Sequence, residues 1–434
     1  MRKSIFTIAI AVLSLVAANP AFAVNGNQVI GVGAYQEGMG GAVTAAPFDT
    51  TTMITNPAGI TKIGGRTDFN FALFAPKRSV DYTASGGGDT YGGSDMYLLP
   101  SIGISAPVSD DGSLFVGFEI AVVAGMGADF GPLKAGPLFG PGMGNLTSRQ
   151  FSQMQFWKMA PTIAKKVNDK LSVAFSLNVD YQQVQLQSTY SSAAGGGGLN
   201  APTAEGAMGY GFTVGALYDV NEMISIGVSY ISNQSMADMK YRLGAGAYTN
   251  INPATGNGLR SKDGIYKMGL DFPQQYAIGI AVKPTSSLTI TADYKWINFS
   301  AAYDKVDLKG KFDIFSGGAP TGATVDSATL NFGWQDVSVI AIGAQYKLGD
   351  VGWLRAGYNR GSSAVPDDKA FANTALPAVA QDHYSVGGTL NIGQNWQGHL
   401  SYVNLVKNEI TDPATGTKIS LGGSSLQFGF SRRF

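Results

Sequence analysis

Apolar and polar residues alternate along much of this chain. From Leu171 to Gln182 the odd positions carry aliphatic or aromatic side chains, and the even positions carry small or polar ones. A period of two predicts a β-strand with one apolar and one polar face. The chain is therefore predicted to be all-β. The same alternation predicts further strands at about 210–218, 224–230, 276–282, 288–296 and 396–402, and a last strand with Leu426, Phe428, Phe430 and Phe434.

Several of the apolar faces have an aromatic residue near one end; examples are Tyr230, Tyr276 and Trp296. A soluble sandwich could show the alternation, but aromatic residues that border apolar faces suit a lipid-facing band with interfacial girdles. No run of 18 or more apolar residues follows position 23, so helical membrane spans are not expected. The pattern favours strands that cross a membrane.

The connections between the predicted strands fall into two length classes that take turns along the chain. Six are tight polar turns, at 109–112, 167–169, 221–222, 284–286, 349–350 and 393–395, and seven are longer, at about 79–94, 125–152, 189–205, 243–263, 306–328, 362–381 and 410–416. Thirteen connections imply about 14 antiparallel strands. Short turns on one side and long loops on the other are typical of outer-membrane barrels. The predicted fold is a transmembrane antiparallel β-barrel of about 14 strands.

Composition narrows the possible functions. Only 14% of the 434 residues are charged, against roughly one quarter in an average soluble domain. The formal net charge is zero and there is no cysteine, which disfavours nucleic acid as a partner and excludes disulfides and cysteine-based metal sites. No cofactor and no metal site are expected.

The first 23 residues have the features of a cleaved export signal. Arg2 and Lys3 precede an apolar run, and Ala21 and Ala23 place small residues where a signal peptidase reads them. An uncleaved anchor is the alternative, but the apolar run is shorter than the ~20 residues that a helical span needs. We expect residues 1–23 to be a signal peptide.

A barrel of about 14 strands is too wide for its own side chains to fill, because eight strands are near that limit. Residues 24–66 precede the first predicted strand, Asp68 to Ala75, and do not alternate; they are rich in glycine and small residues. This segment is the predicted plug of the lumen, and 67–434 is the predicted barrel.

Short motifs occur in a fixed order from one end of the chain to the other. The motifs are Gly38-Met39-Gly40-Gly41-Ala42, Asn56-Pro57-Ala58-Gly59-Ile60, Phe272-Pro273-Gln274-Gln275-Tyr276-Ala277-Ile278-Gly279, Trp334-Gln335-Asp336, Arg355-Ala356-Gly357-Tyr358 and Val365-Pro366-Asp367. Together they resemble the outer-membrane hydrophobic-compound and long-chain fatty-acid transporters of the FadL/TodX family.

The resemblance implies a monomeric barrel in the outer membrane of a Gram-negative cell. Its N-terminal hatch blocks the lumen, and a kink in the third strand lets a hydrophobic ligand leave sideways into the membrane. The hatch and gating residues would then be Asn56, Pro57, Ala58 and Gly59, with Gly117 in the third strand, since glycine tolerates kinks in strands. The expected partners are a hydrophobic small molecule and membrane lipid.

The predicted loop at 125–147 is unusually apolar for an exterior loop. Exposed apolar residues in a Gly-rich loop suit a docking surface for a greasy ligand. The alternative is that these loops fold over the barrel mouth and pack on one another, and both can hold together. The ligand-binding candidates in this loop are Met126, Phe130, Leu133, Leu138 and Phe139.

The alternation of inward-facing and outward-facing positions along the strands assigns a second group of candidates to the lumen. In the third strand Phe115 and Glu119 alternate with lipid-facing residues, and Lys158 and Lys295 point inward by the same rule. These charges could equally be ordinary lumen lining, paired across strands. Fatty-acid transporters often hold a carboxylate with basic residues, whereas this chain has glutamine, as at Gln335. Both neutral hydrocarbons and fatty acids therefore remain candidate ligands.

Catalysis has little support in the sequence. The two histidines, His383 and His399, lie on predicted strands, and no nucleophile elbow or paired-histidine metal motif occurs. The predicted function is passive transport of hydrophobic small molecules, and the protein is not expected to be an enzyme. A general diffusion porin and a surface receptor or adhesin are the alternatives.

Overall fold

A computed structural model describes residues 24–93, 96–138, 145–192 and 195–434. The predicted signal peptide, residues 1–23, and the ligand candidate Phe139 lie outside the described residues. No helix within these ranges has the length and apolar character that a membrane crossing requires.

Fourteen strands form a closed antiparallel wall, as predicted. Each strand pairs with its neighbour in the chain, and the last strand returns to the first through Gly422 with Lys77 and Arg433 with Arg66. The predicted strand number is therefore confirmed. The wall strands are β1 Arg66–Asp81, β2 Tyr97–Pro107, β3 Leu114–Gly136, β4 Leu146–Lys166, β5 Leu171–Ser192, β6 Gly195–Asp219, β7 Ile224–Ile231, β8 Gln275–Val282, β9 Leu288–Ile297, β10 Val337–Lys347, β11 Gly352–Gly361, β12 Asp382–Ile392, β13 Trp396–Thr411 and β14 Lys418–Arg433.

The wall is apolar on the outside and polar on the inside. In β3, Val116 and Phe118 are 39% and 42% exposed, whereas Glu119, the inward residue that follows Phe118, is fully buried. Alternate residues of a strand face opposite sides, so this exposure follows directly from the sequence alternation. An exposed apolar band of this kind suits contact with lipid rather than water.

Two of the predicted long loops are strands instead. The segments 125–152 and 189–205 largely belong to β3, β4, β5 and β6, which are 23, 21, 22 and 25 residues long. These strands exceed the 9–11 residues that cross a bilayer. Their additional residues form register pairs with the neighbouring long strand. The predicted loop at 306–328 is likewise a hairpin, Lys305–Ser316 with Ala319–Asn331.

Shorter elements complete the chain. The strands outside the wall are Val24–Asn25, Gln28–Val29, Asp89–Tyr91, Ser235–Met236, Met239–Leu243, Tyr248–Thr249, Gly258–Ser261 and Gly264–Met268, besides the hairpin above. The α-helices are α1 Gly33–Gly38, α2 Thr52–Thr55, α3 Ile60–Ile63 and α4 Ser300–Tyr303, and the 3-10 turns are Pro57–Gly59, Thr83–Ser85, Asp367–Lys369 and Phe371–Asn373.

The N-terminal segment, residues 24–65, lies inside the wall. All six residues of α1 are buried, and α2 and α3 pack against β3 and β4 through Met53, Ile60 and Phe115. The predicted absence of alternation in this segment agrees with its short, irregular elements.

At the long-loop end, the connection 362–381 folds back over the lumen. Val365 and Val379 are fully buried in the main apolar cluster. Asn373 holds this loop in place, because its Oδ1 accepts from Trp334 Nε1 at 2.8 Å and its Nδ2 donates to the Phe332 carbonyl at 2.7 Å. The apolar residues of this loop are thus packed on their neighbours rather than exposed.

Candidate functional site

Glycines in the N-terminal segment and in the wall allow the segment to lie directly on strands β10 and β11. A Cβ added at Gly343 would lie 2.7 Å from the Met39 carbonyl oxygen, and a Cβ at Gly357 would overlap the Gly40 nitrogen. Gly40 itself has φ of +63°, a conformation that favours glycine. The motifs at 38–42 and 355–358 therefore fit together because neither backbone carries a side chain at the contact.

Polar side chains of the wall anchor the same segment. Asp293 Oδ2 accepts from the Thr44 nitrogen at 2.9 Å and from the Val43 nitrogen at 2.9 Å. Lys295 Nζ donates to the Gly41 carbonyl at 2.8 Å. Backbone groups left without partners in a buried segment would be costly, so these wall side chains replace the hydrogen bonds that regular structure would supply.

The Asn56-Pro57-Ala58-Gly59 motif makes a rigid corner against β6. Asn56 Nδ2 donates to the Thr44 carbonyl at 2.8 Å and to the Ala216 carbonyl at 3.1 Å, while its Oδ1 accepts from the Ala58 nitrogen. Pro57 opens the following 3-10 turn, where a missing N–H costs nothing. The motif thus ties two parts of the segment to the wall.

Buried charges cluster where the segment meets β1 and β3. Arg66 binds Asp68 through Nη2 and Nε at 2.6 and 2.8 Å, and Asp68 Oδ2 accepts from the Thr50 nitrogen at 2.8 Å. The Glu119 carboxylate and the Thr50 hydroxyl occupy the space above Gly103. Glu119 thus contacts the segment rather than open lumen.

Glu37 of α1 is the most isolated carboxyl of the segment. Its Oε1 accepts from the Ser425 hydroxyl at 3.2 Å. Burial raises the pKa of Glu37 to about 8, and hydrogen bonds from Gln427 and Ser425 only partly oppose this effect. Burial therefore favours the protonated, neutral form of Glu37.

The β2–β3 ladder is interrupted part of the way along. Seven residue pairs join the two strands, ending at Ser101 with Ala121. Among the described residues, positions 122–128 of β3 have no register partner on β2; contact resumes at the isolated bridge between Gly93 and Asp129. We call the interval of β3 from 122 to 128, with the facing residues 97–100 of β2, the window.

In the window, β3 pairs with the N-terminal segment instead of with β2. Gln28 is the register partner of Ala124, and the Gly125 nitrogen donates to the Asn27 carbonyl at 2.9 Å. The pairing of β3 with β4 also shifts between Val122 and Ala124, and such a bulge bends a strand. The third strand therefore leaves β2 beyond Ala121, past the predicted gating residue Gly117, which is still paired with Ser105.

A cavity of about 70 Å³ lies on the inner side of the window. Its lining includes Val123 of β3, Val32 and Ile54 of the N-terminal segment, and Phe272. An open vestibule of about 760 Å³ lies at the short-turn end, bounded by other residues of the segment. The N-terminal segment contributes to both spaces.

Both predicted ligand lysines, Lys158 and Lys295, line the cavity of about 70 Å³ but already have partners. Lys158 Nζ donates to Asp180 at 3.1 Å and to Gln234 Oε1 at 3.0 Å, and Lys295 holds Gly41 as described. Gln335 lies elsewhere, against the 362–381 loop, where its Nε2 donates to the Ser363 carbonyl at 3.0 Å. The structure therefore does not bring these three candidates together.

The apolar candidates occupy two separate places. Phe130 is 1% exposed within the main cluster at the long-loop end, and Met126, Leu133 and Leu138 are partly buried against the same cluster. These residues pack on one another, as one of the two interpretations expected, and Met126, Phe130 and Leu133 do so from β3 rather than from a loop. Phe115 lies much lower, beside Met53.

Gly117 is also below the window. It pairs with Ser105 in the intact part of the ladder, and a Cβ there would lie 2.6 Å from Met53 Sδ. The glycine thus makes room for α2, and the strand bends five or more residues later.

Neither histidine has the surroundings of a catalytic base. His399 Nε2 contacts the Ser431 hydroxyl at 2.6 Å, but Nδ1 contacts the Thr389 hydroxyl at 2.7 Å, where a catalytic triad has a carboxylate. His383 Nε2 lies 2.9 Å from the Val24 nitrogen. Both side chains therefore connect elements of the fold.

Sequence reasoning missed two residues of the interior. Arg355 lies over the rings of Phe48 and Tyr35 at 4.5 and 4.8 Å, and its Nη1 donates to Thr389 at 2.7 Å. The alternation of inward and outward positions in β11 turns Arg355 toward the lumen, and this signal could have identified it. Tyr97, whose hydroxyl lies where a Cβ at Gly127 would be, gave no comparable signal, because this contact depends on which residue of β3 faces it.

Comparisons with known proteins agree with this architecture. The family described as outer membrane protein transport protein (OMPP1/FadL/TodX) matches residues 10–430. The 47 kDa outer membrane protein of Pasteurella multocida (strain Pm70) is 25% identical over 232 residues. That alignment spans 51% of this chain and 49% of the relative, or about half of each.

Solved structures share the fold at low sequence identity. The P. putida toluene transporter TodX has a TM-score of 0.70 at 17% identity, covering 93% of this chain and 99% of its own. A Pseudomonas aeruginosa FadL homologue has a TM-score of 0.69 at 16% identity, covering 94% and 100%. The chain therefore belongs to the OMPP1/FadL/TodX family of outer membrane transport proteins and is located in the outer membrane.

Proposed function

We propose that this protein takes up hydrophobic small molecules passively through the outer membrane. The ligand would bind in the lumen and leave sideways between β2 and β3, and the protein would work as a monomer in contact with lipid. Structural neighbours include toluene transporters and a monoaromatic hydrocarbon channel, which supports an aromatic or aliphatic hydrocarbon, or a fatty acid, as the ligand class.

The interrupted ladder beside an internal cavity is the observation that carries this proposal. Val123 belongs to the window and also lines the cavity, so the two lie next to each other. A hydrophobic molecule gains roughly 25 cal/mol for each Å² that it withdraws from water. An exit into the bilayer retains that gain, whereas an exit into the aqueous periplasm would lose it.

The N-terminal segment would serve as the hatch, with residues 24–66 as the plug and 67–434 as the barrel. Its backbone contact with Gly343 and Gly357, and its anchors at Asp293 and Lys295, support this role. A diffusion porin is expected to have an unobstructed polar channel, and the filled lumen argues against that alternative.

The paired lysines favour a neutral ligand or one held chiefly by apolar burial. Lys158 already has Asp180 and Gln234 as partners, and Lys295 has the Gly41 carbonyl. A carboxylate ligand would have to displace one of these groups. We therefore expect similar affinities for a fatty acid and a neutral hydrocarbon of the same length.

Uptake into proteoliposomes tests the function directly. We expect toluene to enter faster than into protein-free liposomes, while a small sugar enters at the protein-free rate. Sugar entry without faster toluene entry would instead identify a porin. In a separate binding measurement, a preference of roughly a hundredfold for the ionised fatty acid, about 2.7 kcal/mol, would contradict the neutral-ligand expectation.

A further inference from the structure

The N-terminal segment begins with a short hairpin that lines the cavity beside the window. Val24–Asn25 pairs with Gln28–Val29, and Asn25 is the register partner of Gln28. Directly opposed residues of an antiparallel pair lie on the same face. Both residues line the cavity of about 70 Å³, so their two amide side chains border one space.

Neither amide has a hydrogen-bond partner among the described residues. Asn25 and Gln28 are only 4% and 6% exposed, and Asn25 Oδ1 and Gln28 Nε2 are fully enclosed without a partner. The other atom of each amide, Asn25 Nδ2 and Gln28 Oε1, makes no hydrogen bond within the described ranges either. Buried polar groups are nearly always hydrogen-bonded, so two unpaired amides in one cavity call for an explanation.

A third amide of the same cavity is fully paired. Gln36 lines it as well, but its Oε1 accepts from the Val32 nitrogen at 3.0 Å and its Nε2 donates to the Thr55 hydroxyl at 3.3 Å. The two lysines of the cavity also have partners, as described above. The lack of partners at Asn25 and Gln28 therefore does not follow from their position at the cavity alone.

The cavity also has an apolar side. Val32, Ile54, Val123 and Phe272 line it and belong to one buried apolar cluster. Phe272 stacks on Phe156, with ring centroids 4.1 Å apart and an angle of 19° between the ring planes, which holds the Phe272 ring in place. An apolar wall with a few polar groups is the usual composition of a site that orients a small ligand.

The two amides together define which polar group fits. Each amide carries N–H donors and a carbonyl acceptor, so the pair offers both kinds of partner in either orientation. A hydroxyl can accept from one amide and donate to the other. A carboxylate or an ether oxygen only accepts, and a hydrocarbon does neither. The neutral hydroxyl is therefore the group that satisfies both side chains.

We propose that Asn25 and Gln28 form a polar subsite for a hydroxyl group, and that the preferred ligands are hydroxylated hydrocarbons such as alkylphenols. This inference rests on the proposed binding of hydrophobic molecules in the lumen and deepens it, because it names the polar group that the ligand carries. Gln28 is also the register partner of Ala124 in the window. The hydroxyl would thus be held beside the proposed exit.

Three ligands with the same carbon skeleton test the subsite. Toluene has no polar group, 4-methylanisole only accepts, and p-cresol both donates and accepts; p-cresol is neutral at pH 7, since a phenol has a pKa of about 10. Calorimetric titration of the purified protein in detergent would give the affinities, and empty micelles of the same detergent would give the partition of each ligand. We expect the wild type to favour p-cresol over 4-methylanisole roughly tenfold more than the micelles do.

Two substitutions remove the amides with little change in side-chain size. We expect Asn25→Leu and Gln28→Met each to lower the preference for p-cresol over 4-methylanisole at least about threefold, while the affinity for toluene stays the same. Thr55→Val is the matched control, because Thr55 lines the same cavity but its hydroxyl already accepts from Gln36 Nε2. In this variant the preference should be that of the wild type.

The outcomes separate the subsite from the function. If the wild type binds none of the three ligands and carries no toluene into proteoliposomes, the proposed function fails. A wild type that binds toluene but shows only the micelles' own preference for p-cresol overturns the subsite. The same holds if the preference persists in both Asn25→Leu and Gln28→Met, or falls equally in Thr55→Val. The comparison with micelles needs the wild type alone, so it decides the matter even where a variant does not form the barrel.

Discussion

Two regions on opposite sides of the barrel use glycine in different ways. At β10 and β11 the ladder is continuous over nine pairs, from Val339 with Gly361 to Lys347 with Trp353, and Gly343 and Gly357 inside it accept the backbone of the N-terminal segment. At β2 and β3 the ladder stops after seven pairs, and Gly127 beyond it accepts one tyrosine ring. We call these regions the docking wall and the window.

The difference shows how one residue type gives two properties. Within a ladder, glycine removes a side chain but the backbone hydrogen bonds keep the wall closed. In the window no described register pair joins β3 to β2, and β3 pairs there with the N-terminal segment instead. The docking wall is therefore suited to hold a plug in place, and the window is suited to open.

The largest expected effect comes from removing what the docking wall holds. Deletion of residues 24–62 should raise single-channel conductance in a planar bilayer severalfold, because the segment contacts β6, β9, β10 and β11 across the lumen. Heat-modifiable migration would verify that the barrel has formed. A deletion that conducts no better than the full chain would show that the segment is not a plug.

A single methyl group should disturb the docking wall itself. In Gly357→Ala the new Cβ would overlap the Gly40 nitrogen, and overpacking of this kind typically costs about 1–3 kcal/mol. We expect more frequent channel openings than in the wild type. Gly388→Ala is the matched control in β12, because its Cβ would meet only Trp353 O at 3.3 Å and Leu354 Cδ2 at 3.8 Å. Equal opening frequencies in both variants would contradict docking at Gly357.

Beneath the window, Gly117→Phe should reduce hydrocarbon uptake while surface expression stays normal. The new side chain would clash with Met53 of α2, whose Sδ lies 2.6 Å from a Cβ at position 117. It would not itself lie in the window. Gly125→Ala is the comparison, because its Cβ would contact only Met154 O at 3.1 Å. Unimpaired uptake by Gly117→Phe would argue against an exit near this part of β3.

The sequence was sufficient to predict the strand number because alternation and turn composition are local properties. The prediction of loops at 125–152 and 189–205 was wrong. Glycine has weak β propensity, but pairing with long neighbouring strands extends the strands into these segments. The motif at Gly38–Ala42 was visible, but its contact with Gly357 was not, since the two are far apart in the chain. Tyr97 and Gly127 likewise become a pair only when β3 bends.

The smallest expected effect is a pH dependence of docking at Glu37. Burial raises the pKa of Glu37 from 4.5 to about 8, so the docked segment retains a proton that the undocked segment releases above pH 4.5. Docking should therefore weaken as pH rises from 4.5 to about 8, and then stay constant. Asp49, whose pKa burial raises to about 6, changes the lower part of this range, so the measurement is best made above pH 6.

Channel-opening frequency in planar bilayers at pH 6, 7, 8 and 9 would measure this dependence. We expect opening to increase up to about pH 8 in the wild type, and the increase to be absent in Glu37→Gln, which keeps the shape of the side chain and cannot ionise. The Ser425 hydroxyl that now donates to Glu37 Oε1 can donate to the amide oxygen instead. A wild type whose opening frequency is the same from pH 6 to pH 9 would mean that Glu37 is ionised when docked, or that docking does not depend on α1.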